Sequence, residues 1–128
     1  PTSCEVDEPE SSRECGHAAA HALLQRHRRR RPTAVICFNG MMARAAVNAF
    51  FQNGVHVPRD LSVAAFDMTQ VCVEEPPRIT SATATPEEFG RRAAELILAR
   101  MRGSVSPAPD DIVVPATLAV RDTTGPAS

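Results

Sequence analysis

Ala34-Val35-Ile36-Cys37-Phe38-Asn39-Gly40 is an apolar run that stops at an amide and a glycine, and Leu61-Ser62-Val63-Ala64-Ala65-Phe66-Asp67 repeats the design, stopping at a carboxylate. Short, nearly continuous apolar runs bounded by turn residues predict strands of a parallel sheet covered on both faces. Between them Met41 to Asn53 reads as a helix, with Met42, Ala45, Ala46, Ala49 and Phe50 on one face and Gly54 placed just past its end. Strand, helix and strand within about 35 residues make a parallel crossover unit, which sets the fold class as α/β.

Upstream, Ser11 followed by Glu14 fits a capping box, and Ala19, Ala20, Leu23 and Leu24 recur at helical spacing, which predicts a first helix from about Ser12 to His27. Arg28 to Arg31 would suit the negative end of that helix dipole, and Pro32 forbids its continuation. Downstream, Pro76, Pro77 and Pro86 frame an extended crossing around Ile79 to Thr83. Thr85-Pro86-Glu87-Glu88 supplies an N-cap, a first-turn proline and a capping-box Glu for a helix to about Arg102, expected to bury Phe89, Ala93, Leu96, Ile97 and Met101 and to stop at Gly103. Two short strands, Ile112 to Val114 and Leu118 to Val120, precede a polar tail.

Composition removes whole classes of chemistry. The 128 residues carry 14 basic against 15 acidic side chains, a net charge of -1, so the chain lacks the positive field of a nucleic-acid surface. Every basic residue is Arg; without Lys there is no phosphate-binding loop and no Schiff-base chemistry. Trp and Tyr are absent, leaving five Phe to stack on a ligand ring. Cys4, Cys15, Cys37 and Cys72 have no Cys-x-x-Cys spacing and read as free thiols of a reducing compartment. No apolar run approaches the roughly 20 residues of a membrane span. A start at Pro1 without Met or leader reads as a piece of a longer protein.

Chemistry is expected where both strands end. In open α/β sheets the ligand crevice lies outside the carboxyl ends of the strands, and Phe38-Asn39 and Phe66-Asp67 share that rim. An amide that donates and accepts, beside a strongly accepting carboxylate, suits neutral hydroxyl-rich ligands. The plainer reading gives Asn39 a helix cap and Asp67 an Asx turn. Val47 and Phe51 form a second apolar stripe beside Arg44 and Asn48, as in a helix that meets a partner. His17 and His21 have a zinc-compatible spacing with no second ligand pair, and His27 to Arg31 could meet phosphate; solvated helix surface explains both. No dinucleotide fingerprint, nucleophile elbow, metal site or cofactor site is indicated.

The stretch from Pro32 to Ala43, the stretch Gly54-Val55-His56-Val57-Pro58-Arg59-Asp60 continuing to Asp67, the crossing Pro77-Arg78-Ile79-Thr80-Ser81, the helix start Phe89-Gly90-Arg91-Arg92-Ala93-Ala94 and the ending Val120-Arg121-Asp122-Thr123-Thr124 together resemble the effector-sensing domain of LacI/GalR-type transcriptional regulators. Gly40, Ala65 and Met68 replace the Asp, Gly and Asp usual there.

The resemblance implies a Rossmann-like parallel sheet lobe of a type I periplasmic-binding-protein-like sensor, incomplete, with the second lobe mostly missing. Residues 1–10 would be an acidic lead-in and 11–126 a partial effector domain: 11–80 the carboxyl-terminal lobe, 81–110 the crossover and helix of the other lobe, 111–126 terminal strands. It implies that Asn39 and Asp67, flanked by Phe38 and Phe66, face a sugar-like effector. Arg44, Val47, Asn48 and Phe51 would lie at a homodimer interface, and Thr80, Ser81, Ala82 and Thr83 would run between lobes. The chain would be a cytoplasmic, non-enzymatic part of a regulator, a repressor by expectation, reaching operator DNA only through a headpiece outside it. A solute receptor for transport is the alternative, and an α/β enzyme fragment a third reading. Uncovered apolar faces would drive self-association.

Overall fold

The computed structural model describes residues 12–27, 31–66, 70–103 and 113–126. The elements run α1 (Arg13–Leu24), β1 (Ala34–Cys37), α2 (Gly40–Gln52), β2 (Ser62–Phe66), α3 (Gln70–Glu74), β3 (Thr80–Thr83), α4 (Pro86–Met101) and β4 (Thr117–Ala119). The strands form one sheet in the order β1-β2-β3-β4. β1 pairs with β2 in parallel, Cys37 opposite Ala65, and β2 with β3 in parallel, Phe66 opposite Ala82. The mixed α/β class expected from the crossover pattern is therefore present.

The chain divides into two compact units, the first made of Pro1–Ala82 with Leu118–Ser128 and the second of Thr83–Thr117. In the first unit α1, α2 and one sheet face share a core of Ala20, Leu23, Ala46, Phe50, Val63 and Ile79, among others. Gly16 lets the helices approach: a Cβ there would stand 2.4 Å from the Met42 carbonyl oxygen. Gly54 carries the left-handed φ of 73° that ends α2, as its position past the helix predicts.

Several expectations need correction. The cap of α1 is Ser12, whose Oγ accepts from the Cys15 amide at 3.3 Å; Ser11 lies outside the described residues. The helix stops at Leu24, and Arg31 folds back to close it, donating from Nη2 to Leu24 O at 2.5 Å and from Nε to Arg26 O at 3.1 Å. Arg28 to Arg30 lie outside the described residues, as does the 1–10 lead-in.

β1 is not covered on both faces. Cys37 is buried and Val35 half-buried, but Ile36 is 69% exposed. The apolar run marks a strand that wants cover on both sides, and the core helices of this unit pack on only one. In the second unit α4 has no buried residue, against the expected burial of Phe89, Ala93, Leu96, Ile97 and Met101; no other helix of that unit is among the described residues to cover it. Its polar side is laced by Arg91 to Glu88 and Glu95, and by Arg92 to Glu88. Thr85 caps it as predicted, accepting from Glu88 N at 3.3 Å.

Val113 and Val114 are not strand, and Ile112 lies outside the described residues; the final strand is Thr117–Ala119, beyond Pro115, which has no N–H to give a ladder. The five-residue α3 was not foreseen.

Candidate functional site

Parallel pairing of β1 and β2 puts their carboxyl ends on one edge of the sheet. Phe38 and Phe66 each follow the last paired residues, Cys37 and Ala65, by one position, and they are 73% and 58% exposed. Ile36, two residues before Phe38 and therefore on the same open face, is a third apolar side chain there. Sequence reasoning missed Ile36 because a strand presumed covered on both faces offers no reason to single it out. Exposed rings at a strand rim can stack on the C–H face of a ring-shaped ligand.

Asn39 stands between that rim and α2. Its backbone is extended, and its Oδ1 accepts from Met42 N at 2.9 Å, capping the helix. The cap uses the carbonyl half of the amide, which is also the half that an Asp could supply. Asp67, the expected partner of Asn39, lies outside the described residues.

Of the four residues grouped on the second stripe of α2, Arg44 and Val47 are each buried at 4% exposure, while Asn48 is exposed and Phe51 is 75% exposed. Arg44 Nη2 donates to Glu75 O at 2.6 Å, tying α2 to the segment that follows α3. A charge expected at a dimer interface is thus buried within this chain, held in a desolvated place by a charge-assisted hydrogen bond.

Thr80 to Thr83 form β3, and the chain passes from the first unit to the second between Ala82 and Thr83. The His17 and His21 rings lie with centroids 4.7 Å apart and planes tilted by 48°, and no group of three His, Cys, Asp or Glu able to hold a metal occurs among the described residues. Cys15, Cys37 and Cys72 are free thiols, and burial, reinforced by Cys72, pushes the Cys37 thiol up to about 11. That suits a packed, unreactive sulfur. Cys4 lies outside the described residues.

A cavity of about 290 Å³ lies at the opposite end of the strands, lined by Leu23, Arg31, Phe50, Asp60 and Leu61 among others. Its charged groups are engaged: Arg31 by the end of α1, and Asp60 by Arg59 and the His56 amide. The exposed rings Phe38 and Phe66 lie at the other, carboxyl edge of the strands. No helix among the described residues is long and apolar enough to cross a membrane.

Residues 2–124 match the sequence profile of the periplasmic binding protein-like domain. The PurR transcriptional repressor of Aliivibrio fischeri strain MJ11 is 34% identical over 91 residues, covering 70% of this chain and 27% of the repressor. A LacI family transcriptional regulator from Bifidobacterium animalis subsp. lactis is 33% identical and superposes with a TM-score of 0.80 over 91% of this chain and 42% of its own. A LacI family regulator from Arthrobacter sp. FB24, solved in complex with lactose, is 26% identical with a TM-score of 0.83, again over 91% of this chain and 42% of its own. The chain thus spans less than half the length of each of these relatives.

Proposed function

Because the chain belongs to the family of periplasmic binding protein-like domains, we propose that it is the effector-sensing and dimerisation portion of a LacI-type DNA-binding transcriptional repressor. The effector is a small, sugar-like molecule held at the rim formed by Phe38, Asn39 and Phe66, with Asp67, the next residue in sequence, as a further contact. The observation that carries this reading is the pair of exposed rings at the ends of two parallel strands, with the Asn39 amide beside them. Phe rings supply the apolar platform, and the amide and carboxylate read hydroxyl groups. The lactose held by the Arthrobacter relative supports a sugar as first candidate.

The protein works in the cytoplasm as a homodimer and carries out no reaction. Operator DNA is reached through a headpiece outside this chain, in keeping with the net charge of -1. Phe51 and Asn48 form the exposed part of the dimer contact, with Arg44 and Val47 supporting α2 from beneath. Effector binding shifts the balance between two conformations by no more than its differential affinity for them, and operator affinity follows by linkage.

Asn39 separates ligand recognition from helix capping. Asn39→Asp keeps an acceptor for Met42 N and adds negative charge at the positive end of α2, but removes the amide donor. In the protein at its natural length, calorimetric titration with lactose and related sugars should show affinity reduced about tenfold, the worth of one good hydrogen bond, at an unchanged melting temperature. Asn39→Ala should lose affinity and also about 1 kcal/mol of stability. Wild-type affinity in Asn39→Asp, Phe38→Ala and Phe66→Ala together would remove the site. Failure to bind DNA under any condition would remove the regulator.

A further inference from the structure

The cavity at the amino end of the strands combines a dry lining with a charged one. Leu23, Phe50 and Leu61 are buried residues that line it, and Arg31, Thr33 and Asp60 line it as well, around a volume of about 290 Å³. That volume lies near the lower end for small-molecule pockets, and apolar walls with a few polar groups are their usual lining. All six residues belong to the first unit.

The polar groups are unequally spent. Both Asp60 oxygens are taken, Oδ1 by Arg59 Nε at 3.0 Å and Oδ2 by the His56 amide at 2.8 Å. The last carbonyls of α2 are taken too, Ala49 O by the Asn53 amide and Phe50 O by the Asn53 and Val55 amides. Arg31 closes α1 through Nε and Nη2. A guanidinium has more N–H groups than those two bonds use, and among the described residues nothing accepts from Nη1 or bonds the Thr33 hydroxyl. Arg59 and Asp60 cancel in charge, so Arg31 leaves the cavity positive, and Arg28-Arg29-Arg30, directly before it in the chain, carry the same sign.

We infer that this cavity is a second ligand site, apart from the aromatic rim, for a small organic carboxylate. The carboxylate accepts from Arg31 Nη1 and from the Thr33 hydroxyl, and the apolar body of the ligand covers Leu23, Phe50 and Leu61. An inorganic anion would gain the Arg31 contact but bury no apolar surface, and an uncharged ring would bury the surface but leave the cation unanswered. Because Arg31 also holds the Leu24 and Arg26 carbonyls, a ligand that fixes its guanidinium steadies the end of α1 as well. This inference stands on groups of the first unit and is independent of the regulator reading.

The test is calorimetric titration of the protein carrying this chain at its natural length with benzoate, beside benzyl alcohol, which keeps the ring without the charge, and inorganic phosphate, which keeps the charge without the ring. Benzoate should bind at least about tenfold more tightly than either. Arg31→Met should weaken benzoate at least about tenfold, and Thr33→Val, which removes one neutral hydrogen bond, about fivefold. In crystals of the same protein soaked with para-iodobenzoate, the anomalous signal of iodine should lie over the apolar lining, with the carboxylate at Arg31 and Thr33. Should Arg31→Met fail to fold, Thr33→Val and the iodine position carry the test. Benzoate no tighter than the two controls, unchanged affinity in the variants, iodine elsewhere or nowhere, or binding at crystal concentration only would each overturn the site.

Discussion

Gly16→Ala tests the packing on which the first unit depends. The added Cβ would stand 2.4 Å from the Met42 carbonyl oxygen, 2.7 Å from its Cα and 2.9 Å from its carbonyl carbon. Comfortable contacts between carbon atoms begin near 3.5 Å, so α1 and α2 must separate by about 1 Å. The obstacle is backbone on both sides, and no rotamer change relieves it. Overpacking of this kind costs about 1–3 kcal/mol, and a rigid obstacle belongs at the upper end. Replacing Gly in a helix interior returns about 1 kcal/mol. The net loss is about 2 kcal/mol, roughly a 30-fold fall in the folding constant and a fall of order 10 °C in melting temperature. Gly90→Ala is the matched control, since nothing lies within 4 Å of a Cβ there and only the helix-propensity gain remains. Urea unfolding of both variants reads the difference. A Gly16→Ala midpoint equal to or above that of the wild type would refute the close helix approach.

Further outcomes follow from the charges and the open faces. Arg78 donates to both carboxylate oxygens of Asp122, and these side-chain bonds, with the Arg78 amide, hold the Asp122 carboxyl below its usual range. The folded state thus binds that proton less readily than the unfolded state, so the contribution is complete above about pH 4 and is lost as pH falls further. Asp60 is depressed in the same direction, first by Arg59 and then by the His56 amide. Asp122→Asn should flatten the acid limb of a stability-against-pH curve, and an unchanged limb would count against the pair. Arg44→Met keeps the buried stem but leaves Glu75 O without its donor, so stability should drop by about 1–3 kcal/mol in thermal unfolding. With Ile36, Phe38, Phe51 and Phe66 exposed, the isolated chain should self-associate, and a monodisperse monomer at high concentration in light scattering would contradict this.

What could be read in the sequence was whatever local chemistry decides. β1, α2 and β2 follow from apolar runs bounded by Asn39, Gly54 and the turn at His56 to Asp60, and α4 from Thr85 and Pro86 at its start. What escaped depends on partners distant in the chain. Ile36 and Cys37 belong to one apolar run, yet one is exposed and the other buried, because a run records a strand's appetite for cover and not whether cover arrives. Arg44 is a charge by type and a core residue by position, settled by a carbonyl 31 residues away. Thr123 looked like part of a polar tail, and only contact with Val63 and Thr80 makes it core. Phe38 and Phe66 were legible as strand-end residues and Asn39 as a helix cap, because both are local features.

The discontinuity of the first unit also carries a schedule. A ribosome delivers α1, β1, α2, β2 and β3 in order, then all of Thr83 to Thr117, and only then the residues that join β2 to β3 through Thr123. During that interval Val63 and Thr80 hold backbone groups whose partners have not yet been made. The earliest helices and strands can collapse as they emerge, but their sheet closes last, and the delay is the time taken to translate a whole second unit. A nascent chain paused within α4 would therefore have β2 and β3 free to pair with each other while the Val63 N–H and C=O and the Thr80 N–H still await Thr123.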